Sequence, residues 1–95
     1  MRELKTSTKF RRSIKKVSQY RNFDEPLLGE IIMRLRRNET LDPRFYDHEL
    51  KGEYAGIREC HVKNDLLLLY QKKDDILVLL LILIDIGTHT SVFGK

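Results

Sequence analysis

At 95 residues the chain fits one domain, which excludes folds built from separate cofactor and substrate lobes such as dinucleotide dehydrogenases, barrels or kinases. Its 41% hydrophobic and 34% charged residues support a packed core under a charged surface rather than a disordered chain, and its length passes the roughly 70 to 80 residues below which scaffolds need staples. The net charge of +4 arises in the first half, where residues 1–46 carry twelve Lys and Arg against six Asp and Glu.

Between Ser7 and Arg21, Phe10, Ile14, Val17 and Tyr20 recur at spacings of four and three, which predicts a half-buried surface helix with basic residues around its other faces. Asp24 is placed to cap a second helix, with Pro26 in its first turn and Leu27, Leu28, Ile31, Ile32 and Leu35 forming the apolar stripe. A short connection over Arg21–Phe23 would make the pair an αα-hairpin. Periodicity disappears from Asn38 to Glu53, which reads as a loop anchored by Phe45, Tyr46 and Leu50.

Three sequential strands are then expected as an antiparallel meander: Tyr54–Val62, Leu66–Tyr70 and Ile76–Ile84. In the first, Ile57, Glu59 and His61 should face one way and Arg58, Cys60 and Val62 the other. The last two are apolar on both faces, as for central strands covered by helices on one side and by a loop or a partner on the other, and Gly87 ends the run. The whole predicts an α+β fold over residues 1–95 without a domain boundary. The longest apolar run, nine residues, is about half the length a membrane-spanning helix needs, and no cleaved leader opens the sequence. Neither membrane insertion nor secretion through a cleaved signal is expected.

The clusters Lys9, Arg11, Arg12, Lys15, Lys16 and Arg34, Arg36, Arg37 suit a polyanion or an acidic protein surface, and equally describe solvated helix faces. His48, His61 and His89 all fall in the second half, at strand edges and turns where they can share one edge of the sheet. Imidazoles are the side chains suited to moving protons near neutral pH, and Asp65 is placed to orient one of them. A zinc site from these histidines and Cys60 is disfavoured, because the separations fit no zinc-ligand spacing and Cys60 and His61 point to opposite strand faces. Cys60 reads as a buried small apolar residue. Glycine-rich phosphate loops and nucleophile elbows do not occur, so no cofactor is expected.

The segments Asp47-His48-Glu49-Leu50-Lys51-Gly52, Gly56-Ile57-Arg58-Glu59-Cys60-His61-Val62, Asn64-Asp65, Tyr70, Gly87-Thr88-His89 and Val92-Phe93-Gly94, in this order and spacing, resemble the YafQ branch of the RelE/ParE toxin superfamily. The resemblance implies a compact RelE-like fold: two N-terminal helices packed on a twisted, antiparallel-rich sheet of about four strands. It implies a cytoplasmic toxin of a type II toxin-antitoxin pair, a ribosome-dependent endoribonuclease (mRNA interferase) that cleaves messenger RNA in the A site without a metal. His48, His61, Asp65 and His89 would be catalytic. Lys51, Arg58, Lys63 and Phe93 would contact substrate, with Arg58 equally suited to bracing the sheet and Phe93 to closing the core. The expected partners are a cognate antitoxin, messenger RNA and the ribosome, with operator DNA reached through the antitoxin.

Two positions depart from the family pattern. An arginine commonly stands four residues before the terminal histidine, where this chain has Asp85, and the stretch from Tyr70 to His89 is several residues longer than usual. A bulge or register shift there would bring another side chain into the arginine's place, and Lys63 is one source of compensating charge. Leu66 stands where some members carry tryptophan. The alternative reading is therefore a catalytically impaired relative, or a binding module acting through protein partners in the manner of gyrase-targeting relatives.

Overall fold

The computed structural model describes residues 1–75 and 77–94. Among them the chain forms five strands, β1 (Glu3–Thr6), β2 (His48–Glu49), β3 (Arg58–Lys63), β4 (Leu66–Asp74) and β5 (Leu79–Gly87), and three α-helices, α1 (Thr8–Val17), α2 (Glu25–Arg36) and α3 (His89–Phe93). The strands make one sheet in the order β1-β5-β4-β3-β2, with β1 parallel to β5 and every other pairing antiparallel.

The helix starts follow from local chemistry. The Ser7 hydroxyl accepts from the Phe10 N–H at 2.9 Å, and the Asp24 carboxylate accepts from the Leu27 N–H at 3.0 Å. Each satisfies a donor that has no partner inside the helix. Helix α1 ends at Val17, where Gln19 and Tyr20 bond back to Lys16 and Val17 in tight turns. The hairpin connection therefore runs over Ser18–Asp24, longer than the expected Arg21–Phe23, and Tyr20 leaves the buried stripe for the surface.

Phe10 and Val17 of α1 and Leu28, Ile31 and Leu35 of α2 pack against Cys60, Leu68, Tyr70, Leu81, Leu83 and Ile86 to form the main core. On the opposite face Leu67, Leu69 and Val92 form a second, smaller cluster with Leu50, Ile57, Ile84 and Phe93. This is the two-sided cover expected of β4 and β5, with α3 and the loop around Leu50 supplying the second side. It leaves part of that face open.

Further features differ from the sequence expectation, and β4 runs on to Asp74 where the expected strand ended at Tyr70. The sheet has five strands rather than about four: β1 pairs Glu3–Thr6 with Leu80–Leu83, and β2 pairs His48 and Glu49 with Glu59 and Arg58. Both are too short to carry a periodic signal, and pairing alone makes them strands. A third helix, α3, closes the C-terminal end. The segment expected to extend from Tyr54 begins instead as a 3₁₀ turn at Gly52–Tyr54, with the strand starting at Arg58. The last strand is shifted to Leu79–Gly87, and Ile76, where it was expected to begin, lies outside the described residues.

Arg2 locks the first strand in place. Its buried guanidinium donates to both Asp74 oxygens at 3.0 and 2.6 Å, to the Leu35 carbonyl at 3.1 Å and to the Asn38 side chain at 3.1 Å. These bonds join the N-terminus to the end of α2 and to β4, and they hold the Asp74 carboxyl below its ordinary range.

Candidate functional site

Strand β3 carries the first part of the site. Its alternation places Glu59 and His61 on the face opposite Cys60 and Val62, beside the smaller core. Glu59 is buried at 4% exposure, and one of its oxygens lies 3.2 Å from His61 Nε2 and 3.7 Å from His48 Nε2. A carboxylate can only accept, so His61 presents Nε2–H to it and keeps Nδ1 available. His48 sits in the edge strand β2, where register sets it opposite Glu59. Its Nδ1 lies 2.7 Å from the Tyr46 carbonyl and therefore carries the proton as donor. Tyr46 adopts a left-handed backbone conformation at the end of the Pro43–Phe45 turn, and its ring packs 4.7 Å from His48 and 5.5 Å from His61 between centroids.

The second part comes from the β5–α3 junction. Thr88 and Ser91 form a capping box, the Thr88 hydroxyl accepting from the Ser91 N–H at 3.2 Å and the Ser91 hydroxyl accepting from the Thr88 N–H at 2.8 Å. This fixes His89 as the first helical residue. Gly87 leaves room for this box, because a Cβ there would stand 2.3 Å from Ser91 Oγ and displace the capping hydroxyl. His89 Nδ1 lies 2.8 Å from Asp65 in the β3–β4 turn. That bond holds the exposed Asp65 carboxyl below its ordinary range and leaves His89 Nε2 free on the other side of the ring. The His61 and His89 rings are 5.9 Å apart between centroids.

The three histidines and Asp65 singled out in the sequence therefore share one open edge of the sheet, with Glu59 and Tyr46 as members that sequence reasoning missed. Glu59 had a readable signal, a carboxylate on the same predicted strand face as His61. Tyr46 had none, since its contribution depends on a turn conformation. Donor atoms of Glu59, His61 and His89 all lie within 4.8 Å of one another, so these three side chains could hold a metal ion. Cys60 does not join them: it is fully buried on the helix side, where burial first and the nearby Asp47 and Glu59 carboxylates second push its thiol up to about 12.

The other sequence-selected residues are spread more widely. Phe93 packs edge-on against Tyr54 at 5.1 Å and lies 6.2 Å from His89. Lys63 stands at the rim, 3.9 Å from Asp24, and Lys51 stays exposed before the Gly52–Tyr54 turn. Arg58 is turned to the other face, where its guanidinium lies 3.3 Å from both the Tyr70 hydroxyl and Asp47 while that hydroxyl donates to Asp47. Burial opposes its charge, yet those bonds outweigh it and raise the Arg58 pKa. The geometry is that of a brace under β2 and β3.

Asp85 also faces away from the histidines. A bulge pairs Leu69 with Asp85 and Tyr70 with Leu83, leaving Ile84 as the extra residue. The Asp85 carboxylate, 2% exposed, accepts from the Ser13 hydroxyl at 2.7 Å and the Ile86 N–H at 2.8 Å, with Lys9 Nζ at 3.4 Å. The lengthened strand thus spends its acidic residue on helix α1, and Ile84 packs into the smaller core beside the cluster.

The fold is that of a small toxin of the RelE-like group. Residues 2–94 match the bacterial toxin of type II toxin-antitoxin systems called YafQ. The mRNA interferase toxin YafQ of Escherichia coli strain K12 is 35% identical over 95 residues, spanning 98% of this chain and 97% of its own length. A copper-bound mutant toxin from Helicobacter pylori superposes with a TM-score of 0.88 at 41% identity, covering 98% of this chain and all of the other. The E. coli DinJ-YafQ complex matches with a TM-score of 0.84 at 29% identity, over 99% of this chain and all of the matched one. The chain belongs to the YafQ family of type II toxin-antitoxin toxins.

Proposed function

We propose that the protein is an endoribonuclease toxin that cleaves messenger RNA in the ribosomal A site by acid/base catalysis, and that it is held inactive by a cognate antitoxin. The observation that carries this reading is the convergence of three histidines and two carboxylates on one accessible sheet edge, each ring oriented through one nitrogen. The mRNA interferase relative and the toxin-antitoxin complex are similar over nearly the whole chain and support the same reading. Operator DNA would be reached through the antitoxin, and the place of action would be the cytoplasm, where ribosomes translate.

The reaction balances without a cofactor. A base takes the proton of the ribose 2′-hydroxyl, the oxygen attacks the adjacent phosphorus, and the bond to the 5′-oxygen of the next nucleotide breaks as an acid protonates that oxygen. The products are a 2′,3′-cyclic phosphate and a 5′-hydroxyl. His89 is the acid, with Asp65 on Nδ1 fixing the ring while Nε2–H faces the leaving oxygen. His48 or His61 is the base; His48 has Nε2 available, its ring held through Nδ1 by the Tyr46 carbonyl, and His61 has Nδ1 available, its ring held through Nε2 by Glu59. Lys51 and Lys63 are the cations for phosphate charge, and Phe93 with Tyr54 offers a stacking surface for a base. Arg58 contributes through the brace.

One observation favours a weaker enzyme as the second reading. Asp85 occupies the family's arginine position and is turned to α1, so it neither repels the phosphate nor supplies the missing cation. An in vitro translation reaction with mapping of messenger RNA ends tests the proposal. Cleavage by the unsubstituted chain, lost in His89→Gln, is the expected result. Intact messenger RNA with a correctly folded chain overturns it in favour of a binding-only relative.

A further inference from the structure

Beside the histidine cluster, two clefts lie next to each other. One is an apolar pocket of about 230 Å³ between the α1–α2 connection and the β3–β4 turn, walled by Tyr20, Phe23 and Leu66, with Asp65 and Thr88 also lining it. The other, about 530 Å³, is lined by His61, Lys63 and Arg44 among others. Asp24, Val62, Lys63 and Asn64 line both, so the two adjoin. A third cleft, about 280 Å³, lies where His89 meets Tyr54 and Phe93. Aromatic pockets thus adjoin the cluster at two places, one through Asp65 and the other through His89.

We propose that the Tyr20–Phe23–Leu66 pocket and the Arg44–Lys63 cleft together bind one nucleotide of the RNA strand next to the scissile bond, base in the pocket and phosphate on the two cations. This deepens the nuclease reading and rests on it. The pocket is smaller than the 300 Å³ or more typical of drug-sized ligand sites, which suits a single planar base. Two aromatic walls give a stacking surface, and the Asn22 and Asn64 side chains that also line the pocket carry both donors and acceptors, as base edges require. Among the described residues the Arg44 guanidinium has no carboxylate partner; it lies over the Phe45 ring at 4.7 Å, which holds it at the cleft. Among the described residues the one ion pair of Lys63 is the 3.9 Å contact with Asp24, whose carboxylate is also engaged in capping α2. Arg44 thereby supplies a forked phosphate donor in a chain whose arginine position before His89 is taken by Asp85.

The test uses an uncleavable single-stranded hexanucleotide RNA carrying 2′-fluoro sugars, titrated into the full chain and followed by backbone amide NMR. Shifts at Tyr20, Phe23, Asn64 and Leu66 are expected. Tyr20→Ala and Arg44→Ala, both at exposed positions, should each raise Kd about tenfold, while Tyr20→Phe retains the affinity. In ribosome cleavage, Tyr20→Ala should alter base preference at one position flanking the cut and leave the other unchanged. Absence of binding by the unsubstituted chain, or unchanged affinity in both alanine variants, overturns the subsite, as does a Tyr20→Ala effect confined to antitoxin binding. Pocket-dependent hexanucleotide binding without messenger RNA cleavage would sink the nuclease reading alone. Cleavage lost in His89→Gln but indifferent to Tyr20 and Arg44 would sink the subsite alone.

Discussion

Replacement of Asp85 tests the assignment of this buried carboxylate to helix α1. Its hydrogen bond from the Ser13 hydroxyl at 2.7 Å is charge-assisted and worth about 1.5 to 3 kcal/mol, and the bond from the Ile86 N–H adds about 1 kcal/mol. Lys9, 59% exposed in its side chain, contributes at most about 0.5 kcal/mol. Asp85→Ala removes all three at a position 2% exposed, so the expected loss is roughly 3 kcal/mol. With a urea slope of about 1.5 kcal/mol per M, the unfolding midpoint falls by about 2 M. Asp85→Asn retains an acceptor for one donor and should fall by about half as much. Asp85→Arg puts a second cation beside Lys9 in buried space and should cost more than either, without any gain in cleavage per folded molecule. Circular dichroism in urea measures all three. A midpoint for Asp85→Ala within about 0.3 M of the unsubstituted chain, or a folded Asp85→Arg with raised cleavage, would show that side chain 85 faces the histidines and refute this reasoning.

Other consequences concern the acid, the sheet edge and the pH response. Cleavage rates should fall about a hundredfold to ten-thousandfold in His89→Gln and by a smaller factor in Asp65→Asn, which keeps an acceptor for the ring N–H but weakens the bond that orients it; equal losses would mean that Asp65 does more than orient His89. Copper or zinc ions should inhibit by occupying the Glu59, His61 and His89 donors, whereas a chelator selective for transition metals, with magnesium retained for the ribosome, should leave cleavage unchanged. Loss of cleavage in that chelator, restored by metal, would contradict the proposed chemistry. The Arg2 bonds depress the Asp74 pKa, so their stabilisation is present above the unfolded carboxyl value of about 3.9 and is lost as pH falls through the lower folded value. Melting temperatures of Asp74→Asn and the unsubstituted chain should accordingly differ at pH 7 and draw together as pH falls below the unfolded carboxyl value of about 3.9; a constant gap would remove Asp74 from the acid response.

Much of the fold was legible where the pattern is long. The stripe Phe10-Ile14-Val17 and the capped run from Asp24 to Leu35 became helices because burial on one face agrees with their helical period. The apolar residues of β4 and β5 marked central strands for the same reason. Strands β1 and β2 were hidden, since four and two residues carry no period and depend on partners far along the chain: Glu3 pairs with Leu80, and His48 with Glu59 across an intervening loop. The histidine edge was anticipated because His48, His61 and His89 fall at element ends, but its second carboxylate was not. Burial of Glu59 is a tertiary fact, created when β2 folds back and α3 closes the same face. Likewise, composition marks Asp85 as a charge and only the bulge at Ile84 reveals which side receives it.

The most direct test of the account is a translating-ribosome reaction in which the messenger RNA carries a single 2′-deoxy nucleotide at a mapped cleavage position. Cleavage should vanish at that position alone, while the all-ribose message yields 2′,3′-cyclic phosphate and 5′-hydroxyl ends, because the attacking oxygen is the one the histidine edge must deprotonate. Persistent cutting at the deoxy position, or products bearing a 5′-phosphate, would mean that water rather than the ribose is the nucleophile and would contradict the mechanism built on His48, His61, Asp65 and His89.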